Sequence, residues 1–274
     1  MLYNIKWFFK NRIQRASFLW KTLLFCRRII EKLERIKWHA VCVTLPLIKI
    51  RSLNRFESKV YSQNGEDGIL QALFSKIGTT NKFCVEFGVE NGEECNTRYL
   101  REKKHWTGLL MDGGNTHPSW IKREFISAEN INELFKKYTV PKEFDLLSID
   151  IDGNDYWVWK ALDTSYAPRV VVIEYNAKFP PPESKTIAYE LLFKWDGTDY
   201  FGASLVALVK LATAKRYTLV GCDRQGVNAF FVRTDQLEGR FEIQATETLY
   251  RPPQYGKKSD RGGWPASRRT LINV

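Results

Sequence analysis

The chain has no pair of cysteines at Cys-x-x-Cys spacing. Its five cysteines, Cys26, Cys42, Cys84, Cys95 and Cys222, are odd in number and widely scattered. That argues against a disulfide framework or a zinc site and for a reducing, cytoplasmic compartment. It also lacks a long apolar run. The longest, residues 40–48, is interrupted by Pro46 and falls far short of the roughly 20 residues that span a bilayer. Charges break every early apolar stretch, so no signal-peptide shape appears. No internal repeat is present, which removes solenoid and propeller architectures.

The middle of the chain lacks excess positive charge. The net charge of +11 suggests nucleic acid until its distribution is read. Residues 1–55 carry 13 Lys/Arg against two Asp/Glu, residues 250–274 carry six against one, and residues 56–249 carry 23 against 28. An acidic body gives little grip on a phosphate backbone, so nucleic acid is an unlikely partner. The basic N-terminal segment repeats apolar residues in steps of three and four, from Leu2 and Ile5 through Trp20 to Leu33, with Lys and Arg between them. This is the pattern of a basic amphipathic helix. Three uses fit residues 1–38: peripheral contact with the inner, anionic face of a membrane, packing on the domain or in a homo-oligomer, or organelle targeting.

What is present centres on residues 82–92, Lys-Phe-Cys-Val-Glu-Phe-Gly-Val-Glu-Asn-Gly. Phe83, Cys84, Val85 and Phe87 predict a buried strand, interrupted by Glu86 and ending in a loop with Gly88 and Gly92. The glycines let the backbone turn tightly and approach a bound molecule. A dinucleotide loop needs Gly-x-Gly-x-x-Gly; this one lacks it, and Glu90 would repel phosphates. A polar turn, Tyr61-Ser62-Gln63-Asn64-Gly65-Glu66-Asp67, opens a helix to about residue 77. After the glycine loop, a helix over 94–103 leads to a strand over 106–111 ended by Asp112, 20 residues beyond Gly92. An acid at that strand tip is placed to accept hydrogen bonds from ribose hydroxyls. His117 follows in a loop without a partner residue.

A third strand is predicted over 124–128, with Glu129 where an adenine-facing residue lies. A buried strand over 146–149 then runs into Asp150, Asp152 and Asp155, and a fifth over 169–175 ends in Glu174 and Asn176. In an open α/β sheet, ligands sit beyond the carboxyl ends of the strands, so these acids point at the site. Residues 178–183, Lys-Phe-Pro-Pro-Pro-Glu, are a candidate lid. Residues 217–223 and 227–233 form a closing hairpin.

The pieces Tyr61-Ser62-Gln63-Asn64-Gly65-Glu66-Asp67, Glu86-Phe87-Gly88-Val89-Glu90-Asn91-Gly92, Asp145-Leu146-Leu147-Ser148-Ile149-Asp150-Ile151-Asp152-Gly153 and Val172-Ile173-Glu174 together resemble the FkbM-type family of class I S-adenosylmethionine (SAM)-dependent methyltransferases, over residues 58–233. The family's usual Asp-x-Glu-Gly is replaced here by Asp150-Ile151-Asp152-Gly153, which makes this a divergent member. The resemblance implies an α/β, Rossmann-like, mostly parallel seven-stranded sheet with a C-terminal antiparallel hairpin. It places a methyltransferase domain at 56–240, between a helical extension at 1–55 and a basic irregular tail at 241–274. It implies SAM as cofactor, with Gln63, Glu86, Gly88, Gly92, Asp112, Glu129 and Asp150 around it. Asp150, Asp152 and Asp155 are the catalytic candidates. By a further resemblance to metal-assisted O-methyltransferases, Asp150, Asp152, Glu174 and Asn176 could hold Mg²⁺. The activity implied is O-methylation of a sugar, glycan or small metabolite. The competing readings are an RNA 2′-O-methyltransferase, with Lys59 and Lys178 as loose candidates for its lysines, and a non-catalytic scaffold of the same fold.

Overall fold

The computed structural model describes residues 49–114, 118–256 and 262–274. The chain divides into two compact units, Met1–Leu47 and Ile48–Val274. The amphipathic segment expected over 1–38 lies outside the described residues, as does His117. No helix among the described residues is long and apolar enough to cross a membrane.

The larger unit begins earlier and ends later than the sequence pattern suggests. Ile50 bridges to Phe241, and Leu53 is buried against Gly221. The expected tail at 241–274 is part of the domain. Leu249 and Leu271 are buried, the Tyr250 hydroxyl donates to the Ala177 carbonyl, and Val274 N–H donates to Ser184. Charge and proline suggested a loose tail; a few well-spaced apolar residues dock it.

The first helix, α1 (Glu66–Ile77), is buried along almost its whole length. Gly68 lets it pack, since a Cβ there would lie 2.0 Å from the Phe56 carbonyl oxygen. Its C-terminal carbonyls are capped from a distance: the Arg169 guanidinium donates to Ile77 O and Gly78 O at 2.6 Å each, and pairs with buried Asp145 at 3.3 Å. Asp145 also accepts from Thr80 N–H and Lys82 N–H. One buried ion pair thus fixes the turn that feeds the first strand.

Strands β1 (Phe83–Phe87), β2 (Thr107–Asp112), β3 (Lys122–Arg123), β4 (Glu143–Ile149) and β5 (Ala167–Glu174) are parallel neighbours. A two-residue strand β6 (Lys185–Thr186) follows, then β7 (Tyr217–Cys222) and β8 (Asn228–Arg233), and β6 pairs with β9 (Ile272–Asn273). The main sheet runs β3-β2-β1-β4-β5-β8-β7, and β8 is antiparallel to both its neighbours. A single reversed strand inserted beside the edge is the arrangement expected. The sheet is the mostly parallel, Rossmann-like seven-stranded sheet expected, with helices in the connections.

Helices α2 (Arg98–Lys104), α3 (Ile131–Lys137), α4 (Asp155–Ala161), α5 (Leu205–Ala214) and α6 (Thr246–Leu249) fill the connections. Buried rings knit sheet to helices, with Phe135 edge-on to Phe87, Phe144 and Tyr166. Two elements depart from the predicted pattern. The helix expected over 94–103 starts only at Arg98, because Asn96 N–H and Thr97 N–H are held by Glu86. The third strand lies over Lys122–Arg123 and not 124–128; the Asn130 side chain, bonded to Phe125 O and Ser127 N–H, turns the chain into α3 instead.

Candidate active site

Register builds the site. Phe87 lies beside Met111 on one side and Ile149 on the other, and Ile149 lies beside Ile173. The next residues of the four strands, Gly88, Asp112, Asp150 and Glu174, therefore emerge in one row at the carboxyl edge, where strand order reverses between β1 and β4. That is the switch point at which open α/β sheets bind ligands.

Gly88 has φ 67°, and a Cβ there would lie 1.4 Å from the Asp150 carbonyl oxygen, so the two loops meet backbone to backbone. Glu86 lines the cleft, but its carboxylate accepts from Asn96 N–H at 2.7 Å and from Thr97 N–H at 3.0 Å. Its expected role as a cofactor contact becomes that of a loop holder. Burial pushes its carboxyl up, against those bonds, which favour the charged form. Gly92, expected at the cofactor, is outside the cleft: a Cβ there would lie 2.1 Å from the Trp120 ring, which carries the Arg101 guanidinium at 5.1 Å. Gly92 makes room for that ring.

Asp112 accepts from Glu90 N–H at 2.8 Å and Gly114 N–H at 2.7 Å, tying the glycine loop to the turn after β2. It borders two cavities, one of about 380 Å³ and one of about 190 Å³. The smaller is a slot with Phe125, Ile126, Ile151 and Phe193 on its walls beside Gly113, and Asp112, Asp152 and Asn154 at its polar side. Glu129, expected to face an adenine, lines neither cavity and accepts the Tyr189 hydroxyl instead. The apolar pair Phe125-Ile126, read in the sequence as strand, takes that position. Gln63 lines the larger cavity. Its loop is held by Asp67, whose Oδ2 accepts from the N–H groups of Val60, Tyr61 and Ser62.

The acids after β4 sort into two kinds. Asp155 is fully buried and accepts from Ile151 N–H at 2.8 Å and Gly153 N–H at 2.9 Å; it lines neither of these two cavities. The catalytic role expected of it is corrected to one of holding the turn, and burial pushes its carboxyl up to about 6. Asp150, Asp152 and Glu174 each present an oxygen within 4.8 Å of the others. Burial raises all three carboxyls, Asp150 and Glu174 well above the ordinary range; repulsion from Asp152 and Asp155 adds to it at Asp150, from Asp150 and Asp155 at Glu174, and from Glu90 and Asp112 at Asp152. Glu174 Oε2 is buried with no hydrogen-bond partner. Asn176, expected beside them as a metal ligand, is excluded. Its amide donates to Asp199 O and Phe201 O, and its oxygen accepts from Lys178 N–H.

Residues 178–183 line neither cavity, so the expected lid is not there. The rings that line the cavities come from two other segments: Phe193 to Phe201, which overlaps the polar, aromatic loop that the sequence shows over 196–204, and Tyr255 with Trp264. The ring of Phe193 fills the space a Cβ on Gly153 would need. No Lys, Arg or His among the described residues lines the larger cavity, whereas nine carboxylates do. Lys59 pairs with Glu94 at 3.5 Å and Lys178 reaches Gly262 O, so neither supplies a lysine to the cleft.

No family model matches the chain, and no curated protein matches it. Among solved structures, the chain is similar to the CMeT domain of the citrinin polyketide synthase, at 12% identity over 61% of this chain and 51% of that one, with a TM-score of 0.31. It spans about half the length of that chain. A likeness at this level carries no argument about activity; the fold rests on strand order and the site on its register.

Proposed function

We propose that the protein is an S-adenosylmethionine-dependent methyltransferase acting on a hydroxyl of a sugar, glycan or small metabolite. One observation carries the reading: Gly88, Asp112, Asp150 and Glu174 leave four adjacent strands in register around one cleft at the switch point. The residues suit the cofactor. Asp112, at a strand tip between the two cavities, would accept the ribose hydroxyls; the slot lined by Phe125, Ile126 and Phe193 suits the adenine; the glycine loop and Gln63 suit the methionine end. Bound S-adenosylmethionine supplies a methyl group on a sulfonium. The protein's part is to position the acceptor in line with that methyl and to remove the hydroxyl proton.

Asp150 and Asp152 are the groups in reach of that proton, and raised carboxyls are better bases near neutral pH than ordinary ones. Asp150, Asp152 and Glu174 are also a hard-oxygen set suited to Mg²⁺, and an unpartnered buried Glu174 oxygen supports that use. A divalent ion held there would lower the hydroxyl's pKa and orient it. The cleft's lack of basic residues argues against an RNA substrate.

Calorimetric titration of S-adenosylmethionine into the purified protein tests the reading. Binding is expected, weakened about tenfold or more in Asp112→Ala by loss of the ribose acceptor. Absence of heat in the wild type refutes it. Methyl transfer into glycan but not RNA, enhanced by Mg²⁺ and lost with chelator, is the expected activity.

A further inference from the structure

Aromatic rings and cations meet all over this protein's surface. Tyr61 carries Arg98 at 4.3 Å, Tyr166 carries Lys142 at 3.5 Å, Tyr200 carries Arg269 at 3.9 Å, and Trp157 carries Lys160 at 5.0 Å. Three rings in the cleft carry no such cation. Trp195, Tyr255 and Trp264 all line it, and among the described residues no Lys or Arg stands over any of them.

These rings form a wall. Trp195 and Trp264 meet with centroids 4.8 Å apart at 63°, and Tyr255 lies 5.9 Å from Trp264 at 44°. The wall is built, not incidental. The Trp195 indole N–H is committed to Thr198 O at 2.8 Å, which fixes its ring. Gly263 N–H donates to Tyr255 O at 2.9 Å, bringing Trp264 beside Tyr255. Gly256 has φ 76°, and a Cβ there would lie 2.3 Å from Gly263 O, so only glycine allows residues 256 and 263 to approach this closely. Lys178 ties the turn down through Gly262 O, with its ammonium outside the cavity.

Carboxylates line the same cleft. Glu174 lies near enough to Tyr255 to raise its hydroxyl further, beyond the effect of burial. Aromatic faces and carboxylates lining one pocket attract a desolvated ammonium. Nine carboxyl side chains line the cleft and, among the described residues, no Lys, Arg or His does, so a cation is favoured there.

We propose that the acceptor is cationic: an amine-bearing compound whose ammonium seats over the Trp195–Trp264 wall, while a hydroxyl of the same molecule is presented to Asp150, Asp152 and Glu174. The inference rests on the methyltransferase reading for the word acceptor, but the cation subsite stands on its own geometry. A protonated amine has no lone pair, so the hydroxyl and not the ammonium is the nucleophile. The subsite sets specificity by charge.

Choline and its uncharged isostere 3,3-dimethylbutan-1-ol, titrated calorimetrically into the full-length protein in chelator, test this. The quaternary nitrogen of one is a carbon in the other, so size and shape are matched and only charge differs. Choline is expected to bind at least about tenfold more tightly than the alcohol, and Trp264→Ala to weaken choline about tenfold while Trp264→Phe weakens it less. Urea denaturation of the same samples reports whether each variant is folded, and S-adenosylmethionine is titrated into the wild type. Equal affinity for the two probes, no choline binding, or choline binding untouched by Trp264→Ala overturns the subsite. A wild-type protein that takes up choline but not S-adenosylmethionine keeps the cation subsite and overturns its role in accepting methyl.

Discussion

Gly88→Ala should damage this protein more than a glycine replacement of the same backbone class elsewhere, and the difference can be worked out. Gly88 and Gly197 both have positive φ, 67° and 81°. An alanine at either carries a conformational cost of roughly 1–2 kcal/mol. At Gly197 nothing lies within 4 Å of the added Cβ, so the cost ends there. At Gly88 the Cβ would lie 1.4 Å from Asp150 O and 2.6 Å from its carbonyl carbon. That neighbour is backbone and has no rotamer to change. The loops after β1 and β4 must separate, at a further overpacking cost of about 1–3 kcal/mol. Urea denaturation of wild type, Gly88→Ala and Gly197→Ala measures both terms. Gly88→Ala should fall about 2–5 kcal/mol below wild type, and Gly197→Ala by no more than about 2. Because the separation moves Asp150 relative to Asp112, S-adenosylmethionine binding should be lost in Gly88→Ala and kept in Gly197→Ala. Equal stability of the two variants would refute the close approach on which the row of site residues depends.

Two further outcomes follow from buried charge. Arg169→Ala removes both the α1 cap and the partner of Asp145; it should destabilise by about 3–5 kcal/mol, read as a fall in urea midpoint, because a buried carboxylate is left without its cation. The second concerns pH. Burial raises Asp223 to about 7 and Asp155 to about 6, both from 3.8. A raised carboxyl binds its proton more tightly in the folded state than in the unfolded one, so its contribution to stability is full below pH 4 and is lost as pH rises towards the folded value. Asp223→Asn should therefore flatten the decline in stability between about pH 4 and 7 relative to wild type; parallel urea curves across that range would count against it.

The fold was legible because its signals are local. The run Phe83–Phe87 and its glycine announce a buried strand and a turn, and the hairpin after α5 announces the reversed strand. Asp112 and Asp150 were legible for the same reason, each ending an apolar run at a strand tip. The third strand was not, because Phe125 and Ile126 are apolar for a cavity and not for a ladder. The aromatic wall was not, because nothing in the spacing of Trp195 and Trp264, 69 residues apart, says that a glycine turn brings them together.

The acids of 150–155 show most sharply where sequence stops and structure begins. Asp150, Asp152 and Asp155 are the same residue type within six positions, and composition cannot rank them. What separates them is who else needs a hydrogen-bond acceptor. Ile151 N–H and Gly153 N–H both turn towards Asp155, which satisfies them and is withdrawn from chemistry. Asp152, held at φ 58°, is thrown outward into the cleft by that same turn. Asp150 follows Ile149 out of β4 and stands beside Gly88. The same division separates Glu174, with a buried oxygen that no group satisfies, from Asn176, whose side chain is fully engaged. Polar groups already satisfied by the fold build the site, and the acids left facing the cleft are the ones available to a ligand.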